Sequence, residues 1–69
     1  MNVKSGDRIG IFLLLIDQDG CRNAIRLNSI VSFHDQDPCA DTTVLALSGG
    51  RNIIVPASFD EVVYWISST

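Results

Sequence analysis

The last third of the chain constrains the fold most. Two apolar runs, residues 42–47 (TTVLAL) and 51–55 (RNIIV), flank Gly49-Gly50. Pro56-Ala57-Ser58 follows, and an amphipathic run begins at Phe59. β-Branched and apolar runs around a Gly-Gly pair read as a hairpin, and Pro56 stops the second strand because it cannot donate to a ladder. With a two-residue turn, Ala46 faces Ile53 and Leu45 faces Ile54. Ser58 with Glu61 three residues on forms a capping box, in which each side chain satisfies a backbone donor the helix leaves over. Phe59, Val62, Val63 and Ile66 then follow an i, i+3, i+4, i+7 pattern, a single apolar stripe with Tyr64 and Trp65 off it. A helix of about nine residues does not persist alone in water, so the stripe must dock on a sheet.

Upstream, residues 9–16 (IGIFLLLI) are apolar except for Gly10. As one strand they place Ile9, Ile11, Leu13 and Leu15 on one face and Phe12, Leu14 and Ile16 on the other. Both faces are apolar, which marks a strand covered on both sides. Asp19-Gly20 reads as a type I′ hairpin turn, pairing Gln18 with Cys21 and setting Asp17 opposite Arg22. Residues 21–27 form the returning strand, Asn28-Ser29 a corner, and residues 30–34 a third strand. Residues 35–41 are a polar loop containing Pro38. The expected fold is one α+β domain spanning 1–69, with 1–7 flexible. Its mostly antiparallel sheet has about five strands, two tight hairpins and one C-terminal helix. A small β-barrel capped by the helix is the alternative.

With 69 residues the chain buries only roughly 60% of its unfolded surface, and domains of this size often lean on a staple or a partner. Hydrophobic residues make up 46% and charged residues 19%, against roughly 25% charged in typical domains. One helix covers one sheet face, so Phe12, Leu14 and Ile16 are expected to form a patch larger than monomers usually expose. Together with Tyr64 and Trp65, aromatic types enriched at interface centres, they are the candidate partner interface.

Net charge is −3, and Lys4, Arg8, Arg22, Arg26 and Arg51 are scattered. Phosphate binding rests on clustered cations, so nucleic acid and anionic membranes are disfavoured as partners. The apolar run at 9–16 is too short to span a bilayer, is followed by Asp17 and Asp19, and lacks a cleavage site; the expected location is cytoplasmic, with Cys21 and Cys39 reduced.

Chemistry finds little purchase. His34, Asp35, Asp37, Cys39 and Asp41 cluster in sequence but match no zinc spacing and no calcium loop. Asp17 and Asp19 are more simply hairpin residues than an acid–base pair. Ser29, Ser32, Ser48 and Ser58 share one histidine and no G-x-S-x-G elbow. Ser48-Gly49-Gly50 is a turn, since a phosphate loop needs a following helix and a lysine. No catalytic residue, metal site or cofactor is expected.

From Ala24 onward the segments AIRLNSIVSF and TTVLALSGGRNIIVPASFDEVVYWI resemble the small flagellar-operon proteins of the FlbD/SwrD family. The matching positions are Leu27-Asn28, Ile30, Thr43, Leu47, Gly50, Val55, Ser58, Glu61 and Val62, mostly turns, caps and core. The resemblance covers about two thirds of the chain and implies a cytoplasmic, non-enzymatic accessory protein linked to motility. An N-terminal extension, the acidic 35–41 loop and few lysines depart from the pattern. The tail is also similar to half of a LytTR-type DNA-binding domain, without the basic loops that bind DNA there. The expected function is a protein–protein interaction or accessory module acting as a homo-oligomer, a dimer or higher. A small nucleic-acid-binding regulator and an inhibitor or accessory protein from a mobile element are the alternatives.

Overall fold

The computed structural model describes residues 3–37 and 41–67. Its strands are β1 (Arg8–Ile9), β2 (Phe12–Ile16), β3 (Arg22–Arg26), β4 (Ile30–Asp35), β5 (Thr43–Leu47) and β6 (Asn52–Val55). A 3-10 turn, Leu27–Ser29, links β3 to β4, and helix α1 (Phe59–Ser67) ends the chain. The fold is α+β and antiparallel, with one C-terminal helix, but the expected sheet of about five strands is instead two three-stranded sheets, β1-β2-β3 and β4-β5-β6. The turn at Leu27–Ser29 carries the chain from one ladder to the next and removes the need for a continuous sheet. The cysteine and proline at 39 and 38 lie outside the described residues.

The apolar run at 9–16 is not one strand. Gly10 sits at φ +56°, a left-handed value that glycine reaches without steric cost. The chain reverses there, so Ile9 pairs with Phe12 rather than sharing a face with Leu13. Ile9 and Ile11 consequently face solvent, while Leu13 and Leu15 are fully buried.

Both predicted two-residue turns are three-residue loops, shifting each register by one. Leu13 pairs with Ile25 and Leu15 with Asn23, while Asp17 N–H donates to the Cys21 carbonyl. In the second hairpin Leu45 pairs with Ile53 and Ala46 with Asn52. Since side chains alternate, one residue of slip exchanges the faces of a strand. The two-residue register would have set Leu13 against Arg26, and Leu47 against Asn52. The observed one aligns Leu13 with Ile25, Thr43 with Val55 and Leu45 with Ile53, and leaves Leu47 at the end of the ladder opposite Arg51. Burial of matched apolar rows outweighs the local preference of Asp-Gly and Gly-Gly. At Asp19-Gly20 type I′ also requires positive φ at Asp19, and no non-glycine residue has it among the described ones.

β4 has a bulge between Ile30 and Ser32. Val31 is the extra residue and stands out at 70% exposure, while Ile30 and Phe33 both reach the core. That core joins Leu13, Leu15 and Ile25 of one sheet to Leu45, Leu47, Ile53 and Val55 of the other, with Ala57 and Val62. The second sheet thus covers the inner face of β2. Thr43 is the one buried polar residue of the described core, and its hydroxyl donates to the Ala57 carbonyl at 2.8 Å.

α1 begins with half of the expected capping box: the Glu61 N–H donates to Ser58 Oγ at 3.2 Å, while the Glu61 carboxylate accepts from the Ser58 hydroxyl at 3.4 Å rather than from a backbone N–H. Its buried side is rotated from the expected stripe. Val62 is fully buried, Trp65 and Ile66 pack against the core, and Val63 faces out. The cause lies at the other end of the chain. Arg8, on the core side of β1 opposite Leu13, donates from Nη2 to the Trp65 carbonyl (2.6 Å) and the Ile66 carbonyl (3.1 Å). A guanidinium at a helix C-terminus satisfies free carbonyls and meets the negative end of the dipole. Gly6 lies against the Trp65 indole. Residues 5–7 run beside β2, with Gly6 N–H donating to the Leu14 carbonyl and Leu14 N–H to the Asp7 carbonyl.

Candidate functional site

Two exposed faces carry most of the large apolar side chains left to solvent. The first is the outer face of the β1-β2-β3 sheet. Register places Ile9 beside Phe12, Phe12 beside Arg26, Leu14 beside Ala24 and Ile16 beside Arg22, all on one face. Ile9 is 50% and Phe12 37% exposed; Arg22, Ala24 and Arg26 are exposed and Ile16 is half-buried. Leu14 is buried, yet stands apart from the core shared by the two sheets. At the rim of this face Gly10, Ile11, Leu27 and Asn28 line an apolar groove of about 320 Å³.

The second is the outer side of α1. With about 100° per residue, Asp60, Val63, Tyr64 and Ser67 fall within one arc, opposite Val62, Trp65 and Ile66. Tyr64 is 70% and Val63 40% exposed. Phe59 borders this arc and meets Phe33 with ring centroids 4.9 Å apart. The sequence-derived interface set is therefore divided. Phe12 and Tyr64 lie on the two open faces, Ile16 is half-buried beside Phe12, and Leu14 and Trp65 are largely taken up inside the chain. Periodicity alone places Ile9 and Ile11 on a covered strand face and Val63 on the helix stripe, and gives no reason for Val31 to be exposed. The signal that would have moved Ile9 and Ile11 is Gly10 between them.

A polar groove of about 220 Å³ lies where the two hairpin tips meet, lined by residues including Asp17, Asp19, Asn23, Arg51 and Asn52. A backbone hydrogen bond from Gln18 N–H to the Ile54 carbonyl joins the tips. The Asp17 carboxylate closes its own loop: Oδ1 accepts from the N–H groups of Cys21 (2.9 Å) and Asp19 (3.0 Å), and Oδ2 from Asn23 Nδ2 (3.2 Å). Cys21 N–H first, then Asn23, hold the charged form and lower the Asp17 pKa below its ordinary 3.8; desolvation opposes them, and Asp19 N–H adds a smaller pull. This replaces the expected Asp17–Arg22 pair.

A carboxyl whose folded pKa is depressed stabilises the fold above its unfolded pKa and loses that stabilisation as pH falls through the folded value. Wild type is expected to lose more stability than Asp17→Asn on acidification from about pH 5 to below 3.8. Urea midpoints across that range measure it. Parallel decline of the two proteins would show that Asp17 does not report folding.

His34, Asp35, Asp37 and Asp41 are exposed, and no three metal-ligating side chains converge among the described residues. Ser58 is engaged at the helix cap. No helix of the described residues is long and apolar enough to cross a membrane. Comparisons with protein-family models, curated proteins and solved structures found no match.

Proposed function

We propose that this protein is a cytoplasmic, non-enzymatic accessory module that self-associates and presents a surface to a protein partner. One observation carries the reading. Ile9, Ile11, Phe12, Val31, Phe59, Val63 and Tyr64 are between 37% and 70% exposed in a chain of 69 residues. Single exposed apolar side chains are ordinary; groups of them on faces with interspersed charge mark interaction surfaces. The likeness of residues 24–66 to the FlbD/SwrD pattern supports an accessory role, because the positions it matches are turns, caps and core rather than a reacting group.

Sedimentation velocity from about 10 μM to 1 mM, a range in which weak association is populated, tests the reading. The expected result is a weight-average mass that rises with concentration above the 7.5 kDa monomer. A constant 7.5 kDa throughout would overturn self-association.

A further inference from the structure

We propose that self-association is heterologous: the outer side of α1 in one copy docks on the outer face of the β1-β2-β3 sheet in the next. This rests on the self-associating reading above and specifies its surfaces. The two faces are apolar and carry opposite charge. The sheet face sets Ile9, Phe12, Ile16 and Ala24 beside Arg22 and Arg26; a single acidic residue, Asp7, continues the ladder opposite Leu14, so the two arginines leave the face with an excess of positive charge. The helix face sets Val63 and Tyr64 beside Asp60, with Phe59 and Glu61 at its margins and no basic residue in the helix. Helix on sheet is the usual way to cover an exposed sheet face. In this chain α1 is committed to the core on its other side through Val62, Trp65 and Ile66, so it covers the sheet of a neighbour rather than its own.

Edge pairing between copies is the competing arrangement, and charge argues against it at β3. Two β3 strands aligned antiparallel about Ala24 would set Arg22 of each copy against Arg26 of the other, and like charges directly opposite are destabilising. The same arginines favour an acidic helix above the face. A single helix-on-sheet contact joins two different surfaces and leaves one free helix face and one free sheet face, so the assembly closes as a reciprocal pair or a ring or extends as an open chain. Exposed charge pairs add little affinity and act on which surfaces meet, so salt weakens the assembly while apolar burial holds it.

A charge-swap experiment separates this arrangement from others. One full-length variant carries Arg22→Glu and Arg26→Glu, the other Asp60→Lys and Glu61→Lys. Each has two faces of like sign and is expected to self-associate at least about tenfold more weakly than wild type. Mixed in equal amounts, each variant meets opposite charge on both faces of the other, and the expected result is recovery of wild-type sedimentation. Asp60→Asn with Glu61→Gln, which keeps the Glu61 N–H bond to Ser58, controls for the helix start. Far-UV circular dichroism confirms that every variant is folded. Wild type that associates, with both variants associating equally well or the mixture failing to recover, would overturn the helix-on-sheet arrangement and leave the module reading standing. A purely monomeric wild type would overturn both.

Discussion

Leu15→Ala is expected to leave most of the chain unfolded at 25 °C. Leu15 has no exposed surface and belongs to the cluster that joins the two sheets. Removing a buried leucine side chain costs about 3–5 kcal/mol through lost transfer energy and the cavity left behind. A core of this size supplies a net stability of only about 3–5 kcal/mol. The mutation therefore takes away nearly all of it. Ile11→Ala is the matched control: 61% exposed at a turn, it is expected to change stability by less than about 0.5 kcal/mol. Urea unfolding followed by circular dichroism reads both. A Leu15→Ala midpoint close to wild type would mean that the sheets are held together by something other than their shared core.

Gly6→Ala is expected to cost roughly 2–4 kcal/mol, from strain at positive φ and from overpacking. Gly6 has φ +97°, outside the comfortable range of an L residue. An added Cβ would lie 2.6 Å from Trp65 Cδ1, 2.7 Å from Nε1 and 3.0 Å from Cγ. The indole cannot simply swing clear, because it packs against the core, and the Arg8 bond to the Trp65 backbone carbonyl holds the helix end in place. Gly49→Ala separates the two contributions. Its φ is +87°, yet nothing lies within 4 Å of the new Cβ, so only the backbone strain applies. Gly6→Ala is expected to be the more destabilising and to shift Trp65 emission to the red, with Gly49→Ala leaving emission in place. Equal losses with unchanged emission would show that Gly6 and the indole are not in contact in solution.

Local punctuation in this sequence is easy to read. Ser58 and Glu61 announce the helix start, Asn28-Ser29 announces the corner, and Pro56 announces the end of β6. Contacts between distant segments are not written locally. Gly10 could be a tolerated glycine within a long strand or a reversal, and only the pairing of Ile9 with Phe12 decides it. Asp19-Gly20 and Gly49-Gly50 mark turns correctly, yet their length is set by which apolar rows must meet across the ladder. Likewise, helical periodicity puts Val63 on the stripe and Trp65 off it. Arg8 and Gly6, more than fifty residues earlier, turn Trp65 inward instead.

The candidate surface is likewise set by contacts between distant segments. The expectation that β2 keeps a bare second face assumed one sheet and one cover. A second sheet covers the inner face, and Leu14 on the outer one is buried as well. What stays open keeps Phe12 and Tyr64 from the expected set and adds Ile9 and Ile11 around the Gly10 reversal and Val63 on the helix. Phe12 and Tyr64 are legible in the sequence, Phe12 from the second apolar face of the 9–16 run and Tyr64 as an aromatic off the helix stripe. Ile9 and Ile11 are not, because their exposure follows from a turn that the surrounding hydrophobicity hides.

The bond from Arg8 to the carbonyls of Trp65 and Ile66 also has a temporal consequence. During synthesis the first hairpin emerges long before the residues that hold its arginine, and closing so wide a loop carries an entropic cost with no earlier local reward. Until the last turn of α1 leaves the ribosome, Arg8 must stay hydrated and Gly6 has no indole to rest on. Closure of this domain therefore waits for α1, and a nascent chain stalled before residue 65 would be expected to lack it.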